Sequence, residues 1–357
     1  MSRLNISKLQ EQLLSWYARH RRVMPWRAER GRKPDPYRVW LSEIMLQQTT
    51  VVTVTPYFTK FIAKWPTVAA LAGASLDEVL TAWAGLGYYT RARNLHKCAQ
   101  IIAEKFKGKF PVTVDGLREL PGIGPYTAAA IASIAFSRQA VAVDGNVERV
   151  VSRFFAIEEP LPSSKEIIRG RAAQLAGDNR HPGDFTQAFM ELGATVCTPR
   201  KPRCMFCPWQ RECRANKLGI TEGLPNKSPK VRKPVRYGKV FWIQKKSGAF
   251  LIEKRTAKGL YEGMYQLPTS EWVADRRIAK KFAAPYYSSQ LRFYPLNQKI
   301  RHSFTHFDLV LEIWTAAAKN PVKAPCGNFV FMEDIGGYAL PTLMQKAIKL
   351  CAKTQVA

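Results

Sequence analysis

Four of the chain's seven cysteines lie within one short segment, and this grouping constrains the fold more than any other feature of the sequence. Cys197, Cys204, Cys207 and Cys213 are separated by six, two and five residues. In a reducing compartment such crowding points to a metal centre rather than to disulfides. Structural zinc sites usually pair two Cys-x-x-Cys knuckles, whereas a [4Fe–4S] cluster needs four thiolates without that pairing. The spacing alone therefore favours an iron–sulfur cluster and leaves zinc open.

The chain is strongly basic, with 55 Lys and Arg against 27 Asp and Glu and a formal net charge of +28. A polyanion is the natural partner of such a chain, and nucleic acid is favoured over a membrane surface. Five basic residues lie between or beside the cysteines, where they either balance thiolate charge or form a loop that grips phosphates. They are Arg200, Lys201, Arg203, Arg211 and Arg214.

No apolar run approaches the ~18 residues of a membrane span, and the N-terminus lacks the pattern of a signal peptide. We therefore expect no membrane association and a cytoplasmic protein.

The length of 357 residues predicts two domains. Residues 1–215 are expected to form a helical domain, with capping-box patterns at Ser7 with Gln10 and at Ser75 with Glu78. Residues 216–235 are rich in Pro, Lys and Arg and are expected to be a linker. Residues 236–357 predict a smaller α/β domain. Its expected elements are strands at 240–244, 249–253 and 307–313 and a helix at 343–351.

A glycine-containing hairpin, residues 120–127, precedes a helix of small residues. Gly122 and Gly124 permit a tight turn and a close approach of backbone N–H groups to a phosphate, although an ordinary helix corner has the same pattern. Asp144 follows twenty residues after Gly124, at the expected start of another helix. It fits a helix N-cap. The helix terminus also favours its ionised form, which can stabilise a sugar cation.

Glu43 is expected on a helix that begins with Asp35 as N-cap and Pro36 at the first position. Trp40 and Leu46 lie three residues to either side, so Glu43 either shares an apolar face or is a solvated surface residue. On the apolar face, desolvation would raise its pKa and keep it protonated. One protonated and one ionised carboxylate form the pair that cleaves glycosidic bonds.

The hairpin, Asp144 and the cysteine spacing together resemble the helix-hairpin-helix DNA glycosylase superfamily, in its endonuclease III-like branch. The resemblance implies that the cysteines hold a [4Fe–4S] cluster. Within the superfamily the chain is similar to the MutY-type adenine DNA glycosylases. Bifunctional relatives carry a lysine nucleophile where this chain has Tyr126, so the resemblance implies a monofunctional enzyme.

The resemblance also implies roles for individual residues. Glu43 would protonate adenine N7, Asp144 would stabilise the oxocarbenium-like sugar, and Asn146 and Tyr126 would orient Asp144 and the sugar. Gln48 and Tyr88 would wedge into the duplex, because such enzymes extrude the target base. The residues at the positions that line the family's adenine pocket are Trp26, Arg27, Leu46, Val51 and Gln187.

Residues 240–268 resemble a Nudix (MutT-like) domain, but residues 271–282 lack the glutamates that hold Mg²⁺ in a working Nudix hydrolase. The resemblance implies that this domain recognises oxidised guanine through Phe304, Thr305 and His306, with Thr305 replacing the family's usual serine. The expected partner is double-stranded DNA with adenine opposite 8-oxoguanine or guanine. We expect a monomeric bacterial protein that associates with the nucleoid when it is on DNA.

Two other functions stay open. One is an endonuclease III-like enzyme that acts on oxidised pyrimidines, against which Tyr126 and the C-terminal domain argue. The other is a non-catalytic DNA-binding or redox-sensing protein built on the cluster, which has no need for Glu43 and Asp144 in an apolar setting.

Overall fold

The computed structural model describes residues 4–229, 232–284, 286–319, 322, 324 and 327–354. The chain divides into two compact units, Met1–Gly73 with Asn94–Lys230 and Ala74–Arg93 with Val231–Ala357. The second unit therefore includes a segment from the N-terminal half of the chain. The boundaries predicted from composition, at residues 215 and 235 on either side of the expected linker, stay a prediction.

The first unit is helical. Its helices are α1 (Ile6–His20), α2 (Pro36–Leu46), α3 (Val51–Lys64), α4 (Val68–Ala72), α6 (Thr90–Phe106, beginning in the second unit), α7 (Val114–Arg118), α8 (Pro125–Phe136), α9 (Gly145–Phe155), α10 (Lys165–Ala176), α11 (Pro182–Thr195) and α12 (Arg214–Leu218), with 3₁₀ turns at Cys204–Phe206 and Thr221–Gly223.

Local capping sets several of these helix starts. Asp35 caps α2, and its side chain accepts a hydrogen bond from the Tyr37 N–H. The expected capping box at Ser7 is wrong, because Asn5 caps α1 by accepting from the Lys8 N–H at 3.0 Å. Gln10 instead donates to the carbonyls of Leu175 and Ala176, at the end of α10.

The core of the first unit lies between α1, α9, α10 and α11 and includes Trp209 from the cysteine-containing segment. Trp209 packs edge-on against Phe154 at 5.4 Å and Phe189 at 5.3 Å between ring centroids, and its Nε1 donates to the Leu9 carbonyl at 2.8 Å. We call residues 197–213 the cysteine loop. Trp209 anchors this loop to the helices, and three of its cysteines pack against the same core.

The second unit contains a mixed β-sheet. Its elements are α5 (Leu76–Trp83), β1 (Val235–Lys245), β2 (Phe250–Lys254), β3 (Tyr265–Gln266), α13 (Arg276–Lys280), β4 (Tyr294–Ser303), β5 (Asp308–Ala318), β6 (Gly327–Val330), a 3₁₀ turn (Asp334–Gly337) and α14 (Thr342–Thr354).

The strand order in the sheet is β3-β2-β1-β5-β4, and β6 also pairs with β2. β1 and β5 are parallel, and the other pairs are antiparallel. The expected strands and the C-terminal helix are confirmed as β1, β2, β5 and α14. The capping box at Ser75 is also confirmed, since both of its reciprocal hydrogen bonds form. Among the helices described, none is both long and apolar enough to cross a membrane.

Candidate active site

Glu43 lies on α2, a helix that is buried over most of its length, and is 8% exposed. Its Oε2 accepts a hydrogen bond from the Tyr126 hydroxyl at 3.0 Å. Burial raises the pKa of Glu43 to about 7, the nearby charge of Asp144 raises it as well, and the Tyr126 hydrogen bond opposes both. A carboxyl group with this pKa holds a proton for much of the time at neutral pH, as a general acid requires.

Tyr126 is the second residue of α8, directly after the hairpin. Its hydroxyl donates to Glu43 and lies 3.9 Å from the Met190 Sδ. Burial, together with the carboxylates of Glu43 and Asp144, raises the Tyr126 pKa well above its usual value, so the hydroxyl stays a donor. The prediction for Asn146 and Tyr126 is that they orient Asp144 and the sugar. Asn146 does bond to Asp144, whereas Tyr126 bonds to Glu43.

Asp144 is the N-cap of α9. Its Oδ1 accepts from the backbone N–H groups of Asn146 at 3.0 Å and Val147 at 2.8 Å, and its Oδ2 accepts from Asn146 Nδ2 at 2.8 Å. Burial raises the pKa of Asp144, while these three hydrogen bonds and the charge of Arg149 oppose the rise by stabilising the carboxylate. Asp144 can therefore cap α9 and also serve as the ionised carboxylate that was predicted to stabilise a sugar cation.

Two arginines of α9 connect this helix start to the cysteine loop. Arg149 donates to Asn146 Oδ1 at 2.8 Å and to the Cys197 carbonyl at 2.7 Å. Arg153 is 1% exposed and donates to Cys197 Sγ at 3.4 Å and to the Thr198 carbonyl at 2.7 Å. A continuous series of side chains thus joins Asp144 to one of the cysteines, a link that sequence reasoning missed.

The expected pocket residues lie on three helices and one loop of the first unit. Leu46 ends α2 and Val51 begins α3, and both are half-buried. Trp26, in the loop before α2, packs edge-on against Phe58 with ring centroids 5.4 Å apart. Gln187 lies on α11 and is half-buried, with its Nε2 donating to the Gly183 carbonyl at 3.3 Å.

Arg27 has a partner that the sequence did not indicate. Its Nη2 donates to Oε2 of Glu191 on α11 at 3.1 Å, and its Nη1 donates to the Arg22 carbonyl at 2.9 Å. Glu191 is 1% exposed and lies four residues after Gln187. That spacing puts the two on one helix face, and a buried acid at that position is the signal that could have found it.

The hairpin has the geometry that its two glycines predicted. Gly122 has φ +78°, and a Cβ there would lie 2.9 Å from the Asn94 Cβ, so a larger residue is excluded both by conformation and by space. Gly124 is the N-cap of α8, and no side chain caps this helix start. The backbone there can approach a phosphate closely.

Gln48 and Tyr88, the two expected wedge residues, both have left-handed backbone conformations, with φ +56° and +49°. Both side chains are exposed, and the exposed fraction of Tyr88 is 48%. Non-glycine residues rarely adopt this conformation, and those that do are concentrated at functional sites.

The turn between β4 and β5 carries the expected lesion-recognition residues. Phe304 packs between the rings of Phe307, at 4.7 Å, and His302, at 4.6 Å. Thr305 and His306 are exposed at the tip of the turn. The Thr305 hydroxyl lies 3.1 Å from that of Tyr88, which belongs to the same unit.

The four clustered cysteines are free thiols, and burial raises the pKa of Cys204, Cys207 and Cys213. The thiols are close enough that their mutual repulsion raises these pKa values further. No group of three or more His, Cys, Asp and Glu ligands for a metal ion occurs in the described part of the chain. Cys98 and Cys351 are buried, as expected of packing residues, and Cys326 lies outside the described residues.

Comparison with known proteins agrees with both units. Residues 41–174 match the family described as HhH-GPD superfamily base excision DNA repair protein, and residues 239–350 match the NUDIX domain. The human adenine DNA glycosylase is 35% identical over 95% of this chain and 73% of its own length. The chain belongs to the adenine DNA glycosylase family.

A bacterial member of this family, the adenine DNA glycosylase of Buchnera aphidicola subsp. Schizaphis graminum, is 35% identical over 83% of this chain and 84% of its own length. Among solved structures, a thermostable thymine-DNA glycosylase matches with a TM-score of 0.53 and 28% identity, over 60% of this chain and 97% of its own. The fold is therefore a helix-hairpin-helix glycosylase domain followed by a Nudix-like domain, and the family is one of base excision repair enzymes.

Proposed function

We propose that this adenine DNA glycosylase family member hydrolyses the N-glycosidic bond of adenine opposite 8-oxoguanine or guanine in double-stranded DNA, without cleaving the strand. The observation that carries the proposal is the pairing of a buried Glu43, with a pKa of about 7, with an Asp144 carboxylate held by three hydrogen bonds. Tyr126 in place of a lysine supports hydrolysis, because no amine is present there to form a Schiff base.

The first step is departure of the base. Glu43 donates its proton to adenine N7, and the electron pair of the bond between C1′ and N9 leaves with the adenine. The positive charge that develops on the sugar is stabilised by the Asp144 carboxylate, whose position the start of α9 fixes. Tyr126 holds the Glu43 carboxyl in place through its hydroxyl.

The second step is the addition of water to C1′. Water supplies its oxygen to the sugar and gives up a proton, which the Glu43 carboxylate accepts. Glu43 thereby regains the proton that it donated, and the products are free adenine and an abasic site in an unbroken strand.

We further propose that each DNA-contacting element has a separate role. Gly122 and Gly124 place backbone N–H groups at a phosphate, and Gln48 and Tyr88 occupy the space left by the extruded base. Trp26, Leu46, Val51 and Gln187 line the adenine pocket with Arg27. Phe304, Thr305 and His306 contact the oxidised guanine. The protein would act as a monomer on chromosomal DNA in the bacterial cytoplasm.

The cysteine loop fits a [4Fe–4S] cluster by its chemistry. Its ligand set consists of four thiols. Burial and the charges of neighbouring cysteines raise the pKa values of three of them, Cys204, Cys207 and Cys213, and binding to iron would relieve that repulsion. We propose that Cys197, Cys204, Cys207 and Cys213 hold the cluster. When bound, it supplies covalent iron–thiolate links across the loop. Arg153, which donates to Cys197 Sγ, would offset its negative charge.

The test is a base-release assay on labelled duplexes, with and without alkali. Adenine opposite 8-oxoguanine should give strand breaks after alkali treatment and few or none before it. A duplex with thymine glycol should stay intact, since that substrate belongs to the endonuclease III-like alternative. Breaks that appear without alkali, or cleavage of thymine glycol in preference to adenine, would overturn the proposal.

A further inference from the structure

The loop between α1 and α2 holds two of the proposed adenine-pocket residues, Trp26 and Arg27, yet residues 21–35 contain no helix or strand. Backbone hydrogen bonding of a regular element therefore does not fix the positions of these side chains. Contacts with neighbouring helices must fix them instead, and the required precision is high because small displacements of a pocket residue slow a reaction strongly.

Glu191 makes four of these contacts. Its Oε1 accepts from the backbone N–H of Arg22 at 3.1 Å and from Arg22 Nε at 2.7 Å. Its Oε2 accepts from Arg22 Nη2 at 3.0 Å and from Arg27 Nη2 at 3.1 Å. One carboxylate on a rigid helix thus engages the loop at two residues, five positions apart in sequence.

Glu191 is ionised in this setting. Burial acts to raise its pKa, but the hydrogen bonds from Arg22 and the charges of Arg27 and Arg22 outweigh burial, so its pKa lies below the usual value. A buried carboxylate without such partners would be strongly unfavourable. The ion pairs are therefore needed to keep the buried Glu191 ionised. The Arg27 side chain is also buried, with only 9% of it exposed.

Arg27 is held in one orientation by three contacts. Besides Glu191, its guanidinium donates to the Arg22 carbonyl and lies 5.5 Å from the centre of the Tyr17 ring. A guanidinium carries more N–H donors than these contacts use. Those that remain can face a base, and Gln187, one turn before Glu191 on α11, lies on the same face of that helix.

We propose that Glu191 is a positioning residue that holds Arg27 against the extruded adenine. The inference rests on the proposed function, since it assigns Arg27 to the pocket of that reaction. Glu191 makes no contact with the base in this account. Its effect on the reaction passes through Arg27.

The test is a double-mutant cycle on adenine release from a duplex with adenine opposite 8-oxoguanine, measured in single turnover. Glu191→Gln keeps the shape of the side chain but turns an N–H group toward Arg22 and Arg27, so Arg27 loses its position. We expect Glu191→Gln to slow adenine release by roughly 10- to 100-fold. In an Arg27→Met background, the same substitution should cause almost no further loss.

Glu166→Gln is the matched control, because Glu166 is an exposed residue of α10 whose partner is the surface Arg169. It should release adenine at the wild-type rate. Melting temperatures show whether each variant is folded. If Glu191→Gln fails to fold, Glu191→Asp replaces it in the same cycle. Asp keeps the charge but is too short to reach Arg27, so it should also slow release in the wild-type background alone.

Equal losses in the wild-type and Arg27→Met backgrounds would overturn the inference, because a merely structural role does not depend on Arg27. A wild-type rate for both Glu191 variants would overturn it as well. Wild-type protein that releases no adenine would instead refute the proposed function, so the two failures are distinguishable.

Discussion

At the residue scale, the chemistry that we propose depends on the different surroundings of two carboxylates. Glu43 lies among apolar side chains and has one hydrogen-bond donor, Tyr126, whereas Asp144 accepts three hydrogen bonds at a helix start. Both pKa values are raised by burial, but the hydrogen bonds to Asp144 oppose the rise. The environment of each group thereby suits it to one of the two roles, proton donor and stabilising anion.

Adenine release should therefore depend on pH with two limbs. Glu43 must carry its proton, so the rate should fall as pH rises through its pKa of about 7. Asp144 must be ionised, so the rate should also fall at acid pH, on a limb above the usual aspartate value of 3.8 because burial raises its pKa. Since the two groups interact, the limbs describe the pair. Single-turnover rates across pH measure both limbs, and a rate that stays constant from about pH 6 to about pH 9 would contradict the assignment.

Tyr126→Phe tests the contact with Glu43. The Tyr126 hydrogen bond lowers the pKa of Glu43, so its removal should raise that pKa and move the alkaline limb of the rate profile to higher pH. The same pH series measures the shift, and the melting temperature verifies folding. A limb that does not move would show that Tyr126 does not act on Glu43, and a limb that moves to lower pH would contradict the direction of its effect.

At the scale of elements, sequence predicted best what is decided locally. The Asp35 cap of α2 and the Ser75 capping box of α5 both formed as expected, because a cap involves residues within one turn. The predicted start of α1 was wrong because Asn5, rather than Ser7, caps this helix. The two candidates are only two residues apart, and the local pattern did not decide between them. The pairing of Arg27 with Glu191 was not predicted. The position of Glu191, one turn after Gln187, marks it as a candidate, but 164 residues separate it from Arg27 and tertiary packing decides which arginine it meets.

The contact between α9 and α11 leaves no space for a side-chain atom at Gly193. A Cβ on Gly193 would lie 2.6 Å from the Asn146 Cβ and 2.8 Å from the Asn146 carbonyl oxygen. The Asn146 backbone cannot rotate out of the way as a flexible side chain could. Gly193→Ala should therefore displace the start of α9, lower the free energy of unfolding by about 1–3 kcal/mol and slow adenine release. Denaturant unfolding and single-turnover rates measure the two effects.

Gly170→Ala on α10 is the control for this substitution, because nothing lies within 4 Å of its Cβ. It should leave the rate unchanged and raise the stability by up to about 1 kcal/mol through helix propensity. Equal behaviour of the two alanine variants would contradict the account of the contact.

At the scale of the whole molecule, composition predicted the class of partner, and the division of the chain that it predicted, at residues 215 and 235, stays a prediction. The second unit includes Ala74–Arg93, which composition alone gave no reason to separate from the surrounding helices. Within this unit, Arg93 donates to the Glu262 carbonyl at 2.9 Å and Lys254 pairs with Asp77 at 2.6 Å. Such pairs between distant parts of the chain become visible only in three dimensions.

The net charge of +28 predicts a strong dependence of DNA binding on salt. If about 6 to 10 phosphates are neutralised, affinity for a duplex should fall by roughly 10³ to 10⁵ between about 50 and about 200 mM salt. Fluorescence anisotropy with a labelled duplex measures the slope. A slope near zero would show that the basic residues do not contact the DNA backbone.

The most direct test of the central claim measures free adenine released in single turnover from a duplex with adenine opposite 8-oxoguanine. Glu43→Gln preserves the shape of the side chain but has no acidic proton to transfer, so it should bind the duplex with wild-type affinity and release adenine at least about 100-fold more slowly. Glu104→Gln, at an exposed position on α6, should match the wild type. Wild-type rates of adenine release by Glu43→Gln would contradict the account.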